Sequence, residues 1–186
     1  MRITGGRLRG RVVAAPEGVS TRPTTDLARE SLFAMLAHRI DLRDISVLDL
    51  CSGSGILAFE SLSRGASSAT LVDHDASVCR LARSNAQSLD CTNEVKVIRT
   101  DVMRALDHLV PTSYALVFAD PPYAARQCNA ILSGLDRCGL VAAGGLVVLE
   151  HDDSEVVLPL HGWEHLDARR FGATVIDIVR HLPTSS

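Results

Sequence analysis

Residues 47–58 read VLDLCSGSGILA, an apolar strand pattern that runs into Gly53-Ser54-Gly55 and then into a helical one. Glycines at such a junction let the backbone approach a ligand closely, and the start of the helix offers N–H groups with no partner of their own. The stretch from Gly53 to Ala58 also fits G-x-G-x-x-A, so a dinucleotide is one candidate occupant. Asp49, four residues before the first glycine, separates the candidates. A carboxylate there repels a pyrophosphate and attracts an ammonium group; at about 4 Å and an effective dielectric of about 20, that preference is worth about 4 kcal/mol. A nucleoside that carries an amino acid, as S-adenosylmethionine does, suits this loop better than a dinucleotide.

Outward from the loop, strands and helices alternate. Strands are predicted over residues 46–50, 69–72, 94–99, 114–119 and 145–150. Helices are predicted over 54–64, closed by Gly65, and over 76–89, 102–109 and 125–138. An amphipathic helix over 24–37 precedes them, with Leu27, Leu32, Phe33 and Leu36 near one face and Thr24 or Thr25 as its cap. At the other end, 164–170 and 174–180 read as a β-hairpin around Phe171-Gly172-Ala173. This order predicts an α/β, Rossmann-like fold: a mostly parallel seven-stranded sheet with helices on both faces and a C-terminal antiparallel hairpin. Residues 1–22 are set apart as a short basic β-hairpin arm, joined through the Pro/Gly-containing stretch 14–20 to a domain over 23–186.

Acids recur at the carboxyl ends of the predicted strands, where open α/β sheets bind ligands. Asp49 belongs to the first strand, and Cys51, Gly53, Ser54 and Gly55 form the loop beyond it. Asp73 ends the second strand, placed to accept hydrogen bonds from ribose hydroxyls; Asp75 beside it suits the cap of the next helix. Asp101 follows the third strand, and two roles are open to it: acceptor for an adenine amino group, or helix cap. His151, after the fifth strand, has no grouping that marks it as functional.

The fourth strand ends in Asp120-Pro121-Pro122-Tyr123. Paired prolines stiffen a loop and remove N–H donors, so it presents carbonyls. Asp120 adds a carboxylate and, lying near the cofactor loop, is also a candidate cofactor contact. Tyr123 adds a ring on which a base can stack, an interaction worth about 1–3 kcal/mol. Acceptors that grip both hydrogens of an exocyclic amine can bend it toward a nucleophilic geometry and stabilise the charge that develops on it. Asp120, Pro121, Pro122 and Tyr123 are therefore the candidate catalytic residues.

Composition narrows the partners. The chain has 186 residues, 46% of them hydrophobic and 22% charged, and no apolar run approaches the roughly 20 residues of a membrane span. The N-terminus is basic without the apolar stretch of a secretory signal, so the cytoplasm is expected. Five scattered cysteines make no C-x-x-C pair and no metal-ligand spacing, so free thiols are expected and no metal. The net charge of −3 divides into +4 over residues 1–22 and −7 over the rest. Arg7, Arg9, Arg11 and Arg22 make the arm a candidate contact for a polyanion such as RNA.

Asp49 with the glycine loop, Asp73 and the DPPY run together resemble the class I amino-methyltransferases with a (D/N)PPY motif. More narrowly, Ile3-Thr4-Gly5-Gly6 with Leu8-Arg9-Gly10-Arg11 resembles the RsmD family of bacterial ribosomal RNA methyltransferases. So do Arg22-Pro23-Thr24-Thr25-Asp26 with Arg29-Glu30-Ser31-Leu32-Phe33, and Ser54-Gly55 through Glu60-Ser61-Leu62-Ser63-Arg64-Gly65-Ala66. Cys51-Ser52 stands where Phe-Ala is frequent in that pattern. The resemblance implies methyl transfer from S-adenosylmethionine to the N2 amine of one guanine in 16S ribosomal RNA, within the small subunit, by a monomer. Two other readings stay open: an amino-methyltransferase on adenine N6 of DNA or a glutamine side chain, and a non-catalytic nucleotide- or RNA-binding module.

Overall fold

The structure, a computed structural model, describes residues 1–16, 26–109, 113–158 and 160–183. Arg22, Thr24 and Thr25 lie outside the described residues. Helix α1 (Asp26–Ala37) is followed by β1 (Ser46–Leu50), α2 (Ile56–Ser63), β2 (Ser68–Asp73), α3 (Ala76–Ser88) and β3 (Val95–Arg99). Then come α4 (Val102–His108), β4 (Tyr114–Ala119), α5 (Cys128–Arg137), β5 (Val141–Asp152), β6 (Trp163–Phe171) and β7 (Thr174–His181). Among the described residues no helix is long and apolar enough to cross a membrane.

The strands form one sheet in the order β3-β2-β1-β4-β5-β7-β6. β1 to β5 are parallel, and β7 runs antiparallel to β5 and β6. From β1 the chain steps outward to β2 and β3, then crosses back to β4. The carboxyl ends of β1 and β4 therefore flank the topological switch point.

Successive residues of the central strands serve opposite faces, and both faces are buried. Val47, Leu116, Phe118, Leu146 and Val148 pack with α1, α2 and α3. Leu48, Leu50, Val117, Ala119, Val147 and Leu149 pack with α4 and α5. Two buried faces explain why these strands read as unbroken apolar runs rather than as alternations. Residues 1–16 fold onto the first face: Arg2 bridges Val12 antiparallel, and Ile3, Leu8 and Val13 are buried in the same core as α1–α3.

Several element ends depart from the sequence expectation, each for a local reason. α2 starts at Ile56 rather than 54 because Gly55, at φ 80°, turns the chain into it. α5 starts at Cys128 rather than 125: Tyr123–Ala125 form a single 3-10 turn, and Arg126 at φ 46° interrupts the helical run. β5 is longer than 145–150 and irregular in its pairing, with Tyr114 opposite Val141 but Leu116 opposite Leu146. The residues between bulge out, so no apolar period marks them in the sequence.

Candidate active site

Leu50 lies opposite Ala119 in the pairing of β1 with β4, so the loops leaving these strands start side by side. The Asp120 N–H reaches the Leu50 carbonyl at 3.4 Å. The expected cofactor loop and the expected catalytic loop therefore meet at one edge of the sheet.

The glycine loop is a tight turn braced from β2. Ser52 N–H donates to the Val72 carbonyl at 3.0 Å, and Gly55 N–H to the Ser52 carbonyl at 2.8 Å. A Cβ on Gly55 would meet Leu71 Cδ2 at 2.6 Å and Phe59 Cε2 at 2.8 Å, so only glycine fits there. Nothing lies within 4 Å of where a Gly53 Cβ would be, which leaves that backbone open to a ligand. Ser54 is buried, and its carbonyl accepts from Asn85 Nδ2 at 3.0 Å.

Asp73 supports this loop: its Oδ2 accepts the Gly53 N–H at 3.1 Å and its Oδ1 the Asp75 N–H at 2.9 Å. Each carboxylate oxygen retains a second acceptor position, so the bracing is compatible with binding ribose hydroxyls. Asp75 caps α3, accepting from Ser77 and Val78 N–H. Asp101 caps α4, accepting from Met103 and Arg104 N–H. It also lines a cavity of about 230 Å³ with Cys51, Asp73, His74, Thr100 and Pro122. The two roles open to Asp101 are thus not exclusive.

Asp49 provides the test for the amino-acid end of S-adenosylmethionine. It is buried, and its Oδ2 has no hydrogen-bond partner among the described residues. Burial pushes its carboxyl well above the ordinary range; the Ala58 N–H opposes this, and the Asp120 and Asp73 carboxylates reinforce it. A buried carboxyl oxygen without a partner is costly, and an ammonium group is the ligand chemistry that offsets the cost. The residues present fit that group. Ser52, not among the sequence candidates, likewise buries a hydroxyl with no partner among the described residues. Burial and then the Asp73, Asp120 and Asp49 charges push the Cys51 thiol up to about 12, so it is a neutral wall rather than a nucleophile.

On the catalytic side, Pro121 is buried and Pro122 is exposed toward the cavity. Asp120 is exposed at the crevice edge, although the surrounding protein crowds its carboxyl. That partial burial, followed by the charge of Glu150, pushes its carboxyl up to about 7. The half-buried Tyr123 donates its hydroxyl to Glu150 Oε1 at 3.2 Å and lies 2.9 Å from Thr174 Oγ1. Glu150 and Thr174 were missed in the sequence; Glu150 lies just past the pairing of β5 with β4 and has no motif around it. His151 is buried and engaged elsewhere, with Asp177 Oδ2 at 2.5 Å and the Asp152 carbonyl at 2.6 Å.

The described arginines of the arm stand apart from this edge, although Ala14 shares Asn85 with the Ser54 carbonyl. Arg7 pairs with Glu94 and reaches the Leu62 carbonyl at 3.5 Å; Arg11 contacts the Ser88 carbonyl and lies 3.5 Å from Asp90. These partners lie at or beyond the last turns of α2 and α3, on the side of the sheet where β2 and β3 begin. Arg9 is exposed in the turn of the arm. The arm is fixed by Glu60 of α2, whose Oε1 accepts the Thr4 N–H at 2.8 Å and whose Oε2 accepts the Thr4 hydroxyl at 3.1 Å. Arg29 of α1 binds the same Glu60 and also the Arg2 carbonyl, at 2.7 Å.

A family model described as "Conserved hypothetical protein 95" matches residues 1–180. The "Putative rRNA methyltransferase YlbH" of Bacillus subtilis (strain 168) is 38% identical over 161 residues, 86% of this chain and 86% of that protein. The "Ribosomal RNA small subunit methyltransferase D" of Escherichia coli (strain K12) is 36% identical over 152 residues, 82% of this chain and 75% of that protein. Among solved structures, the "Putative methyltransferase yhhF from Escherichia coli" has a TM-score of 0.87 at 28% identity and covers 98% of both chains.

Proposed function

The chain belongs to the RsmD family of ribosomal RNA methyltransferases, and on that footing we propose that it methylates the exocyclic N2 amine of a guanine in 16S ribosomal RNA of the small subunit, with S-adenosylmethionine as donor. The observation that carries the reading is the shared edge. The glycine loop beyond Asp49, whose Oδ2 has no partner among the described residues, and the Asp120-Pro121-Pro122-Tyr123 loop leave adjacent strands, joined through Asp120 N–H and the Leu50 carbonyl.

Bound S-adenosylmethionine supplies a methyl group already activated on a sulfonium. The protein's work is to place the acceptor. Asp49 pairs with the ammonium, the backbone from Cys51 to Gly55 cradles the amino-acid end, Asp73 takes the ribose hydroxyls and Asp101 the adenine amine. Asp120 and the Pro121 carbonyl accept the two N–H groups of the target amine, while Tyr123 holds the plane of a base that has left its stack. Such alignment is worth effective molarities of about 10⁵–10⁸ M.

Arg7, Arg9, Arg11 and Arg22 supply phosphate contacts. The first three sit across the sheet from the catalytic loop, so a substrate that touches both must be larger than a short strand. A folded small-subunit RNA or its ribonucleoprotein meets that requirement.

The test is nucleoside mass spectrometry of ribosomal RNA from cells with and without the protein. An N2-methylguanosine in 16S RNA that disappears with the protein is expected. Label from the cofactor appearing in DNA or protein alone would overturn the reading.

A further inference from the structure

Asp120 follows the last residue of β4, and Glu150 lies in β5 just past its pairing with β4. Ala119 lies opposite Leu149, so the next residue of each strand emerges side by side at the crevice edge. Tyr123, from the same loop as Asp120, donates its hydroxyl to Glu150 Oε1 at 3.2 Å and is 2.9 Å from Thr174 Oγ1 on β7. Strands β4, β5 and β7 thus converge on the ring assigned to the base.

An amine that receives a methyl group needs more than hydrogen-bond acceptors, because it must also lose a proton. We propose that Glu150 is a positioning residue for methyl transfer: it anchors the Tyr123 hydroxyl and, through its charge beside Asp120, makes Asp120 the group that takes up the proton released by the amine. The inference rests on the amino-methyltransferase reading above.

The step balances as follows. The nitrogen lone pair forms the new N–C bond while the pair of the broken S–C bond returns to sulfur, leaving the amine cationic. One N–H bond then breaks, its electrons stay on nitrogen, and the proton passes to an Asp120 oxygen. The exposure of Asp120 lets that proton go on to water.

Two neighbouring carboxylates resist being ionised together, so each makes the other more basic. The Tyr123 hydroxyl is donated to Glu150, and the carboxyl pushed up by burial and then by the Glu150 charge is that of Asp120. The other titratable groups that feel Asp120 are Asp49 and Cys51 from β1, Tyr123 in its own loop and Cys128 of α5. Burial raises the pKa of all four, and the charge that acts on Asp120 itself is that of Glu150. Arg126, the cation of the same loop, acts on Asp152.

Glu150→Gln keeps the shape and a partner for Tyr123 but removes the charge. Two measurements read the effect: ¹³C NMR titration of the Asp120 carboxyl, and the pH dependence of single-turnover methylation of ribosomal RNA. In E150Q the Asp120 titration and the acid limb of the rate should both move to lower pH, by about one unit. Thr174→Val loosens the ring but keeps the Glu150 charge, so it should slow transfer and leave the limb in place. An unmoved Asp120 titration in E150Q, or an equal shift in T174V, overturns the proposal. If the wild-type chain leaves ribosomal RNA unmodified, it is the substrate reading that fails, and the titration still decides the role of Glu150.

Discussion

Arg29 and Glu60 form an ion pair at 3.1 Å in which neither side chain is exposed to solvent. Glu60 also holds Thr4 and Arg64, so one carboxylate ties α1, α2 and the arm together. Breaking such a buried pair costs about 3–5 kcal/mol, and Asp26, 2.6 Å from Arg29, offsets part of that when Glu60 is the residue removed. Glu60→Ala should therefore lose toward the lower end of that range in urea unfolding. The double change Arg29→Met with Glu60→Leu should lose clearly less, because no charge is stranded. Equal losses would mean that packing, not the stranded charge, sets the cost.

Asp49 should trade stability for binding. Its raised pKa means that the folded free protein holds this proton more tightly than the unfolded chain. Its contribution is therefore most favourable at low pH and becomes a cost as the pH rises above the ordinary value of 3.8. Asp49→Asn should raise the unfolding free energy at neutral pH by about 1–2 kcal/mol and weaken S-adenosylmethionine binding by about tenfold to a hundredfold. Calorimetric titration and thermal unfolding of the same sample read both. A variant that binds as tightly as the wild type removes Asp49 from the ammonium site.

Much of this candidate site is legible from two signals: acids at the carboxyl ends of parallel strands mark Asp49, Asp73 and Asp101, and the DPPY run marks Asp120. Glu150 lies just past the pairing of β5 with β4 and has no motif around it. Thr174 was beyond reach. It comes beside Tyr123 only because β7 pairs with β5, a contact 51 residues distant in sequence. The family-like run around Glu60 read as a signature, yet its side chains serve the joint between arm and core. The sequence pattern alone could not separate a joint from a binding surface. Arg7 and Arg11 show the same limit from the other side. Their charge was plain, but their partners, Glu94 and Asp90, depend on how the arm docks.

His151 should make stability pH-dependent. Burial works to lower its pKa, but the hydrogen bonds to Asp177 and the Asp152 carbonyl, with the Asp177 and Glu155 charges, raise it on balance. A histidine raised in the folded state contributes fully below its ordinary value of 6.5, and the contribution is lost as the pH climbs through the folded value. Urea midpoints of the wild type should therefore fall between about pH 6 and about pH 8, and His151→Gln should flatten that difference. An unchanged difference would assign the pH dependence to other groups.

The arm can be separated from the crevice by salt. Arg9 is exposed, and Arg11 pairs with Asp90, itself 86% exposed, and contacts the Ser88 carbonyl; such surface pairs are worth little, so both arginines can exchange to phosphate. Each phosphate contact adds about −0.7 to the slope of log affinity against log salt on single-stranded RNA, so replacing both with alanine should flatten the slope by about 1.4. The loss should appear in KM more than in kcat, because neither residue lies at the edge where transfer occurs. A short oligonucleotide that fills only the crevice should keep the same slope with both proteins, whereas intact small-subunit RNA should not. If the two RNAs respond alike, the arm does not contact RNA beyond the crevice, and Arg11 serves the fold through Ser88 and Asp90.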